Sequence, residues 1–214
     1  MNYTESLAYL DSLGKFGIKL GMERIEGLLR ELGNPEQKIK TVHVTGTNGK
    51  GSVTSMITNI LLAANLKVGK FTSPHLVKYN ERINLNGKDI SDEDFATAIT
   101  AVKVAADSVV KKGVCEQPTQ FEILTAAAFL YFYLQKVDYA VIEVGMGGLW
   151  DSTNVITPVV SVITNVALDH TDRCGKTLER IAMQKAGIIK EKVPLVTAAE
   201  GNEALGPIVS LAMF

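Results

Sequence analysis

Apolar residues occur along the chain in two patterns, helical spacing and short continuous runs. Helical spacing is clear over residues 22–32, and the turn-forming sequence GNP follows it. Further helices are predicted directly after the first continuous run, after a serine N-cap at Ser91, and over residues 120–135. The continuous runs are TVHVT (41–45), KVGKF (67–71), DYAVIEVG (138–145), VVSVITNV (159–166) and VPLVTA (193–198). Such runs are typical of strands buried on both faces, and their alternation with helices predicts an α/β fold with a doubly wound, mostly parallel sheet.

Composition narrows the classes of function. The chain has 214 residues, of which 46% are hydrophobic, and a formal net charge of −1. This is enough apolar material for a sizeable core, and the near-neutral charge gives no general attraction to nucleic acid or to anionic membranes. The N-terminus lacks the pattern of a secretory signal, and the longest apolar run, residues 126–134, is too short to span a bilayer. We expect a cytoplasmic monomer with reduced cysteines and with neither a nucleic-acid nor a membrane partner.

The first continuous run leads into the glycine-rich sequence GTNGKGS and then into a helix. Glycines let backbone N–H groups crowd around an anion, and the helix adds the positive end of its dipole. The ordinary phosphate-binding loop is G-x-x-x-x-G-K-[ST]; here the first two glycines are three residues apart, and Gly51 separates Lys50 from Ser52. A plain glycine-rich turn with an exposed lysine is the alternative, but the strand–loop–helix context favours phosphate binding. The helix that follows is expected to bury Val53, Met56, Ile57, Ile60 and Leu61.

Polar side chains also follow the other predicted strands. Ser73 lies after the second strand, Glu143 ends the third, and Asp169, His170 and Asp172 follow the fourth. Ligands of doubly wound sheets bind at the carboxyl ends of the strands, so these side chains are candidate ligands. Taken alone, Glu143 is equally a magnesium ligand or a carboxylate in solvent.

Lys185 lies in the predicted helix TLERIAMQKAGI. It is seven residues after Leu178, four after Ile181 and three after Ala182, which places it on the apolar face. The side chain could extend its ammonium group to the surface, or it could be desolvated, which favours a neutral, reactive amine.

These segments together resemble the dihydrofolate synthase/folylpolyglutamate synthase family of the Mur ligase superfamily. The resemblance covers essentially the whole chain and rests on GIKLGMERI, HVTGTNGKGSV, FTSPHLVKYNERI, IEVGMGGLWDSTNVI, ITNVALDHTD and IAMQKAGIIK, in the order of the family. It implies the central-domain fold of Mur ligases and an ATP- and Mg²⁺-dependent ligase. Such a ligase adds L-glutamate to dihydropteroate or to folates through an acyl phosphate.

The resemblance also implies roles for individual residues. The ATP-binding residues would be Gly46, Thr47, Asn48, Gly49, Lys50, Gly51 and Ser52. The metal ligands would be Ser52, Ser73, Glu143 and His170, and the catalytic residues Lys50, Lys185 and His170. Lys185 matches the lysine that becomes N-carboxylated. The residues lining the substrate pocket would be Ile18, Lys19, Leu20, Gly21, Thr119, Gln120, Phe121 and Glu122.

The chain departs from the family pattern at two places. Leu149 stands where many members have arginine after the double glycine. Members also continue beyond Phe214, through the rest of the ATP-binding domain and into a second, Rossmann-like domain that helps to bind glutamate. We therefore expect residues 1–214 to form a truncated ATP-binding domain. Such a chain is expected to bind nucleotide poorly, not to complete the reaction, and to leave apolar residues such as Ile208, Val209, Leu211 and Phe214 uncovered.

Two alternatives stay open at this point. One is a Mur-type ligase for another acceptor, such as a cell-wall precursor; the combination of TSPHL and NERI favours the folate branch. The other is a non-catalytic nucleotide-binding module. A generic P-loop kinase fits less well, because neither the loop spacing nor the lysine of KAGI has a place in it.

Overall fold

A computed structural model of the chain describes residues 1–14, 21–169 and 175–213, and within them the strands form one sheet. The strands are β1 (Thr41–Thr45), β2 (Val68–Phe71), β3 (Ile83–Leu85), β4 (Lys88–Asp89), β5 (Tyr139–Glu143), β6 (Val160–Ile163) and β7 (Leu195–Thr197). Their order across the sheet is β4-β3-β2-β5-β1-β6-β7. Pairing is parallel from β2 to β7, whereas β3 and β4 are antiparallel. The predicted mostly parallel sheet is therefore confirmed.

Strand β1 lies inside the sheet, between β5 and β6, and is buried along its whole length. Val42 and Val44 of β1 pack with Val141 of β5 in one apolar cluster, while Ala140 and Ile142 of β5 belong to a larger cluster on the other face. Burial on both faces explains why these strands are continuous apolar runs in the sequence.

The helices are α1 (Tyr3–Leu13), α2 (Glu23–Glu31), α3 (Lys50–Ala63), α4 (Asp92–Lys111), α5 (Gln120–Leu134), α6 (Leu178–Ala186) and α7 (Asn202–Ala212). Single turns of 3₁₀ helix cover Pro35–Lys38, Tyr79–Arg82 and Ser152–Val155. Ser91 caps α4 as predicted, because its hydroxyl accepts from the N–H of Asp94. None of the helices within the described ranges is long and apolar enough to cross a membrane.

The β3–β4 hairpin was not predicted, although a local signal for it is present. Asn86 and Gly87 connect the two strands, and both have positive φ angles, 52° and 80°. An Asn-Gly pair is favoured in tight hairpin turns because both central residues need left-handed backbone angles. The strands themselves have only three and two residues, so they give almost no hydrophobic pattern.

The predicted buried face of α3 is partly wrong. Met56 and Ile60 are 63% and 69% exposed, whereas Thr54 and Thr58 are buried. The helix packs on the sheet through Val53, Ile57, Leu61 and the two threonines. Because the two threonines are buried, the buried face lies about one position away from the face that hydrophobicity alone predicts.

The expectation for the last helix is also partly wrong. Ile208 of α7 is fully buried and packs in a cluster with Ile163 and Ala182, because α7 lies against α6. Val209 and Leu211 are exposed as expected, while Phe214 lies outside the described residues.

Candidate functional site

Four adjacent strands deliver the candidate site residues to one edge of the sheet. In the order β2-β5-β1-β6 all four run parallel, so their carboxyl ends meet. Ser73 follows β2, Glu143 ends β5, Gly46 follows β1 and Thr164 follows β6. We call this group of strand ends the strand-end corner. Its existence follows from the sheet order, which explains why residues far apart in sequence come together.

The glycine-rich loop joins β1 to α3 in this corner. Gly49, with a φ of +78°, directly precedes the helix, which has no side-chain N-cap. The N–H groups of the first helical turn have no carbonyl partners inside the helix, and they suit an anion. Gly46 has a φ of +152°, and a β-carbon placed on it would lie 1.8 Å from Oγ1 of Thr164. Only glycine fits there.

Lys50 is folded over its own loop. Its Nζ donates to the carbonyl oxygens of Gly46 and Thr47, at 3.0 and 3.2 Å. A phosphate group that binds the ammonium would replace these two neutral acceptors with a charged one, which forms a stronger hydrogen bond.

Glu143 lies beside the start of α3 and is only 4% exposed. Its Oε2 accepts from the N–H of Ser73 at 3.1 Å, and a β-carbon on Gly51 would lie 3.7 Å from both carboxylate oxygens. Burial raises the pKa of this carboxyl; the Ser73 hydrogen bond and the positive charges of Lys50 and Lys70 act in the opposite direction. A nearby cation therefore stabilises the ionised form.

The residues of the corner fit Mg²⁺ by the chemistry of their donors. One carboxylate, on Glu143, and the hydroxyl-bearing residues Ser52 and Ser73 supply hard oxygen atoms, and Mg²⁺ usually takes few protein ligands together with phosphate oxygens and water. In the described ranges, no three His, Cys, Asp or Glu side chains form a metal-binding group. His170, the fourth predicted ligand, lies outside the described residues.

Lys185 is buried, as its helical phase predicts, with 5% of its surface exposed. The loop after β5 packs against the C-terminal end of its helix. The N–H of Leu149 donates to the carbonyl oxygen of Gln184 at 2.8 Å, and a β-carbon on Gly148 would lie 3.0 Å from the carbonyl oxygen of Lys185. The double glycine thus allows the backbone that follows Glu143 to approach α6 closely, and Leu149 lies at this contact.

A buried polar network beneath this loop was not predicted from the sequence. Asp151 accepts from the N–H of Met146 and from both the N–H and the hydroxyl of Thr153. The Thr153 hydroxyl also lies 2.9 Å from Nε2 of His43 in β1. Burial raises the pKa of Asp151, and it lowers the pKa of His43 to about 3, with the charge of Lys190 acting in the same direction. A histidine inside the apolar run TVHVT is the sequence signal for this network.

The predicted substrate segment at the N-terminus of α5 is largely occupied by internal contacts. Thr119 and Glu122 form a capping box, in which each side chain accepts from the backbone N–H of the other. The Glu122 carboxylate also accepts from Nε of Arg24 in α2, at 3.1 Å to Oε1 and 3.2 Å to Oε2, in a buried ion pair. Gln120 donates to the carbonyl oxygen of Leu10.

Phe121 differs from its neighbours because its ring extends toward the strand-end corner. A β-carbon on Gly145, two residues after Glu143, would lie 2.5 Å from Cζ of Phe121. Phe121 is therefore the member of this segment that reaches the loop beside Glu143. In the other predicted segment, Gly21 is described and has a φ of +119°, whereas Ile18, Lys19 and Leu20 lie outside the described residues.

Comparison with known proteins agrees with these features. The Mur ligase middle domain family matches residues 44–202. The dihydrofolate synthase/folylpolyglutamate synthase of Bacillus subtilis is 47% identical over 206 residues, which are 95% of this chain and 47% of that protein. The structure of an FPGS–AMPPCP–folate complex superposes with a TM-score of 0.92 at 44% identity, over 100% of this chain and 52% of the other.

A more distant structure gives the same match. E. coli FolC in complex with DHPP and ADP superposes with a TM-score of 0.89 at 32% identity, over 100% of this chain and 49% of the other. The chain thus spans about half the length of the relatives that it matches. The family predicted from the sequence motifs and the predicted fold are both confirmed.

Proposed function

The chain belongs to the Mur ligase middle domain family, and from this premise we propose that it is the ATP-binding part of a ligase that adds L-glutamate to dihydropteroate or to folates. The observation that carries the proposal is the meeting of the glycine-rich loop, Glu143 and the Lys185 helix at one sheet edge. Relatives named for this activity, at up to 47% identity, support the choice of acceptor.

The reaction proceeds in two steps. The acceptor carboxylate attacks the γ-phosphorus of ATP, which gives an acyl phosphate and ADP; the amine of glutamate then attacks the acyl carbon and releases phosphate. Phosphoryl transfer depends mostly on positioning and on charge neutralisation. In this proposal the loop Gly46–Ser52 holds the phosphates, and Lys50 leaves its carbonyl partners to offset charge on the γ-phosphoryl group.

Mg²⁺ is the proposed metal, with Ser52, Ser73, Glu143 and His170 as its ligands. The buried Glu143 carboxylate supports this role, because a cation beside it offsets the cost of its burial. The metal would supply positive charge to the phosphate oxygens.

Lys185 is proposed to be N-carboxylated at neutral pH in the presence of bicarbonate. Its burial on the apolar side of α6 supports this, since desolvation favours the neutral amine that reacts with CO₂. Carbon-13 NMR of the folded chain equilibrated with carbon-13 bicarbonate would detect the carbamate carbon. The absence of any carbamate signal beyond that of a Lys185→Gln control would contradict the proposal.

The remaining proposals concern partners and location. Phe121 and the Ile18–Gly21 segment are the proposed contacts of the pterin ring, with ATP, dihydropteroate or folate, and L-glutamate as the small-molecule partners. We further propose that the protein is a cytoplasmic monomer.

Calorimetric titration with ATP and Mg²⁺ tests the nucleotide site. The Lys50→Ala variant should bind about 10- to 100-fold more weakly, as expected when a hydrogen bond to a charged group is lost. The Lys111→Ala variant, at the exposed end of α4, is the matched control and should bind like wild type. Equal affinities of all three proteins would contradict the assignment.

The acceptor and the reaction are tested separately. In the presence of a non-hydrolysable ATP analogue, dihydropteroate or a reduced folate should bind and a uridine-diphosphate-linked muramyl precursor should not; the reverse result would favour a cell-wall ligase. Mass spectrometry after incubation with ATP, Mg²⁺, acceptor and glutamate should find no glutamylated product from the 214-residue chain. Steady turnover would show that this chain is sufficient for the reaction.

A further inference from the structure

We propose that Thr164 and Asn165, which follow β6, are positioning residues that fix the backbone of the phosphate loop. The effect on ATP affinity rests on the proposed nucleotide-binding function, but the contacts themselves lie within the chain. These contacts give a role to the residues ITN at the start of the ITNVALDHTD segment. The proposed metal ligand of that segment, His170, does not explain why those residues are there.

Both backbone groups of Asn48 are held by this segment. Its N–H donates to Oδ1 of Asn165 at 2.9 Å, and its carbonyl oxygen accepts from the Thr164 hydroxyl at 2.6 Å. One residue earlier, the N–H of Thr47 donates to the carbonyl oxygen of Asn165 at 3.0 Å, and the Thr47 hydroxyl exchanges hydrogen bonds with the backbone of Ala167. The first half of the loop is therefore fastened to the β6 segment.

Fastening the Asn48 carbonyl also orients the next amide. In a trans peptide the C=O and N–H bonds point in opposite directions. Because the Asn48 carbonyl points to Thr164, the N–H of Gly49 points away from the β6 segment. Gly49 begins the stretch of backbone that leads into α3, so the Thr164 hydroxyl sets the direction of the first amide in that stretch.

The unusual spacing of the loop explains why it needs an external anchor. Only Thr47 and Asn48 separate Gly46 from Gly49, whereas the ordinary loop has four residues between its glycines. So short a segment has little backbone with which to satisfy its own polar groups. The close approach of Gly46 to Thr164, which leaves no room for a β-carbon, shows that the loop and the β6 segment are fitted to each other.

Nucleotide binding makes the anchor more important. Lys50 Nζ also stabilises the loop through the carbonyl oxygens of Gly46 and Thr47. When the ammonium turns to a phosphate group, these two bonds are lost, and the bonds to Thr164 and Asn165 remain. Loss of the anchor should therefore weaken ATP binding more than it lowers the stability of the free chain.

Amide hydrogen exchange of the free chain tests the anchor without nucleotide. The Asn165→Leu variant removes the acceptor of the Asn48 N–H, and the exchange of this amide should become about fivefold faster or more. Asn165→Asp keeps an acceptor oxygen and should preserve the protection. Two results would overturn the proposal. One is that the Asn48 amide of the wild type exchanges as fast as in an unstructured peptide; the other is that it exchanges at the same rate in Asn165→Leu as in the wild type.

The matched pair Thr164→Val and Thr164→Ser tests the consequence. Valine keeps the shape but loses the hydroxyl, so the Kd for ATP with Mg²⁺ should rise about five- to tenfold while the melting temperature of the free chain stays within about 2 °C of wild type. Serine keeps the hydroxyl and should restore the affinity to within about twofold. Equal Kd values for wild type and Thr164→Val would overturn the positioning role. A wild-type chain that binds no ATP would instead contradict the proposed function. In that case the hydrogen-exchange result decides whether Thr164 and Asn165 hold the loop.

Discussion

Glu143 and Glu122 are two glutamates of nearly equal burial, 4% and 3% exposed, in two segments that the sequence marks as parts of the site. The Glu122 carboxylate is paired with the Arg24 guanidinium and accepts from the N–H of Thr119. Glu143 accepts from a backbone N–H, and burial raises its pKa. The Glu122 carboxylate, paired with a guanidinium group, joins two helices. The Glu143 carboxylate accepts a hydrogen bond from a backbone N–H and retains the capacity to bind a cation.

The largest expected effect is a loss of stability when Glu122, the ion-paired glutamate, is replaced. Glu122→Gln keeps an acceptor for the Thr119 N–H but removes the carboxylate charge from the buried ion pair with Arg24, so it should lower the free energy of unfolding by about 3–5 kcal/mol. Denaturant unfolding measures this change. Asp107→Asn, which breaks an exposed pair with Lys103, is the control and should change stability by less than about 1 kcal/mol. A loss no larger than that of the control would remove the distinction between the two glutamates.

Glu143→Gln should have the opposite signature. Because burial raises the folded-state pKa of Glu143, its protonated form favours the fold, and this contribution is lost as pH rises through the folded pKa. The glutamine variant lacks that loss, so it should unfold at a higher temperature than wild type at pH 8, and the difference should narrow toward pH 4. Its affinity for ATP with Mg²⁺ should nevertheless fall about tenfold or more, as measured by calorimetry. Unchanged affinity would place Glu143 with Glu122 as a structural residue.

His43 extends the comparison to a buried base. Its folded-state pKa is lowered to about 3, so the folded chain binds fewer protons than the unfolded chain below the ordinary histidine pKa of about 6.5. Between pH 7.5 and pH 5 this should cost about 2 kcal/mol of unfolding free energy. The control is His43→Gln, whose amide can still form a hydrogen bond with the Thr153 hydroxyl. Subtracting its unfolding free energies from those of the wild type at each pH removes the contribution of the carboxyl groups and leaves that of the histidine. Parallel pH profiles would show that His43 does not contribute.

Glu36 should give the smallest effect. Burial raises its pKa, and its Oε2 accepts no hydrogen bond from the described residues. As for Glu143, the ionised form opposes folding above the folded pKa. Glu36→Gln should raise the melting temperature at pH 7 by about 2–4 °C, the shift expected for about 1 kcal/mol, and should leave ATP affinity unchanged. A lowered melting temperature would mean that the ionised carboxylate stabilises the fold.

The sequence predicts the strand-end corner well because its signals are local. Continuous apolar runs, the glycines of the loop and the helical phase of Lys185 each depend on residues close together in the chain. Sheet order then brings them together.

The contacts that the sequence does not predict join distant segments. Arg24 and Glu122 are 98 residues apart, and His43 and Thr153 are 110 residues apart. Single-sequence patterns contain no information on such pairs. Thr119 and Glu122 show a related difficulty: the capping box is readable from the sequence, whereas the resemblance to relatives predicts a substrate role for the same residues, which stays a prediction.

The two edges of the sheet differ in how readily each would pair with a strand from another copy of the chain. At one edge, β4 offers only Lys88 and Asp89, both exposed and charged, which disfavours the addition of a foreign strand. At the other edge, β7 pairs only with β6 among the described strands and presents the exposed side chain of Val196. Its three residues form only a short template, so β7 would be the favoured of the two described edges for strand addition, and a weak one. The direction of any such growth is thereby set: it would extend the sheet beyond β7, on the side away from the β3–β4 hairpin.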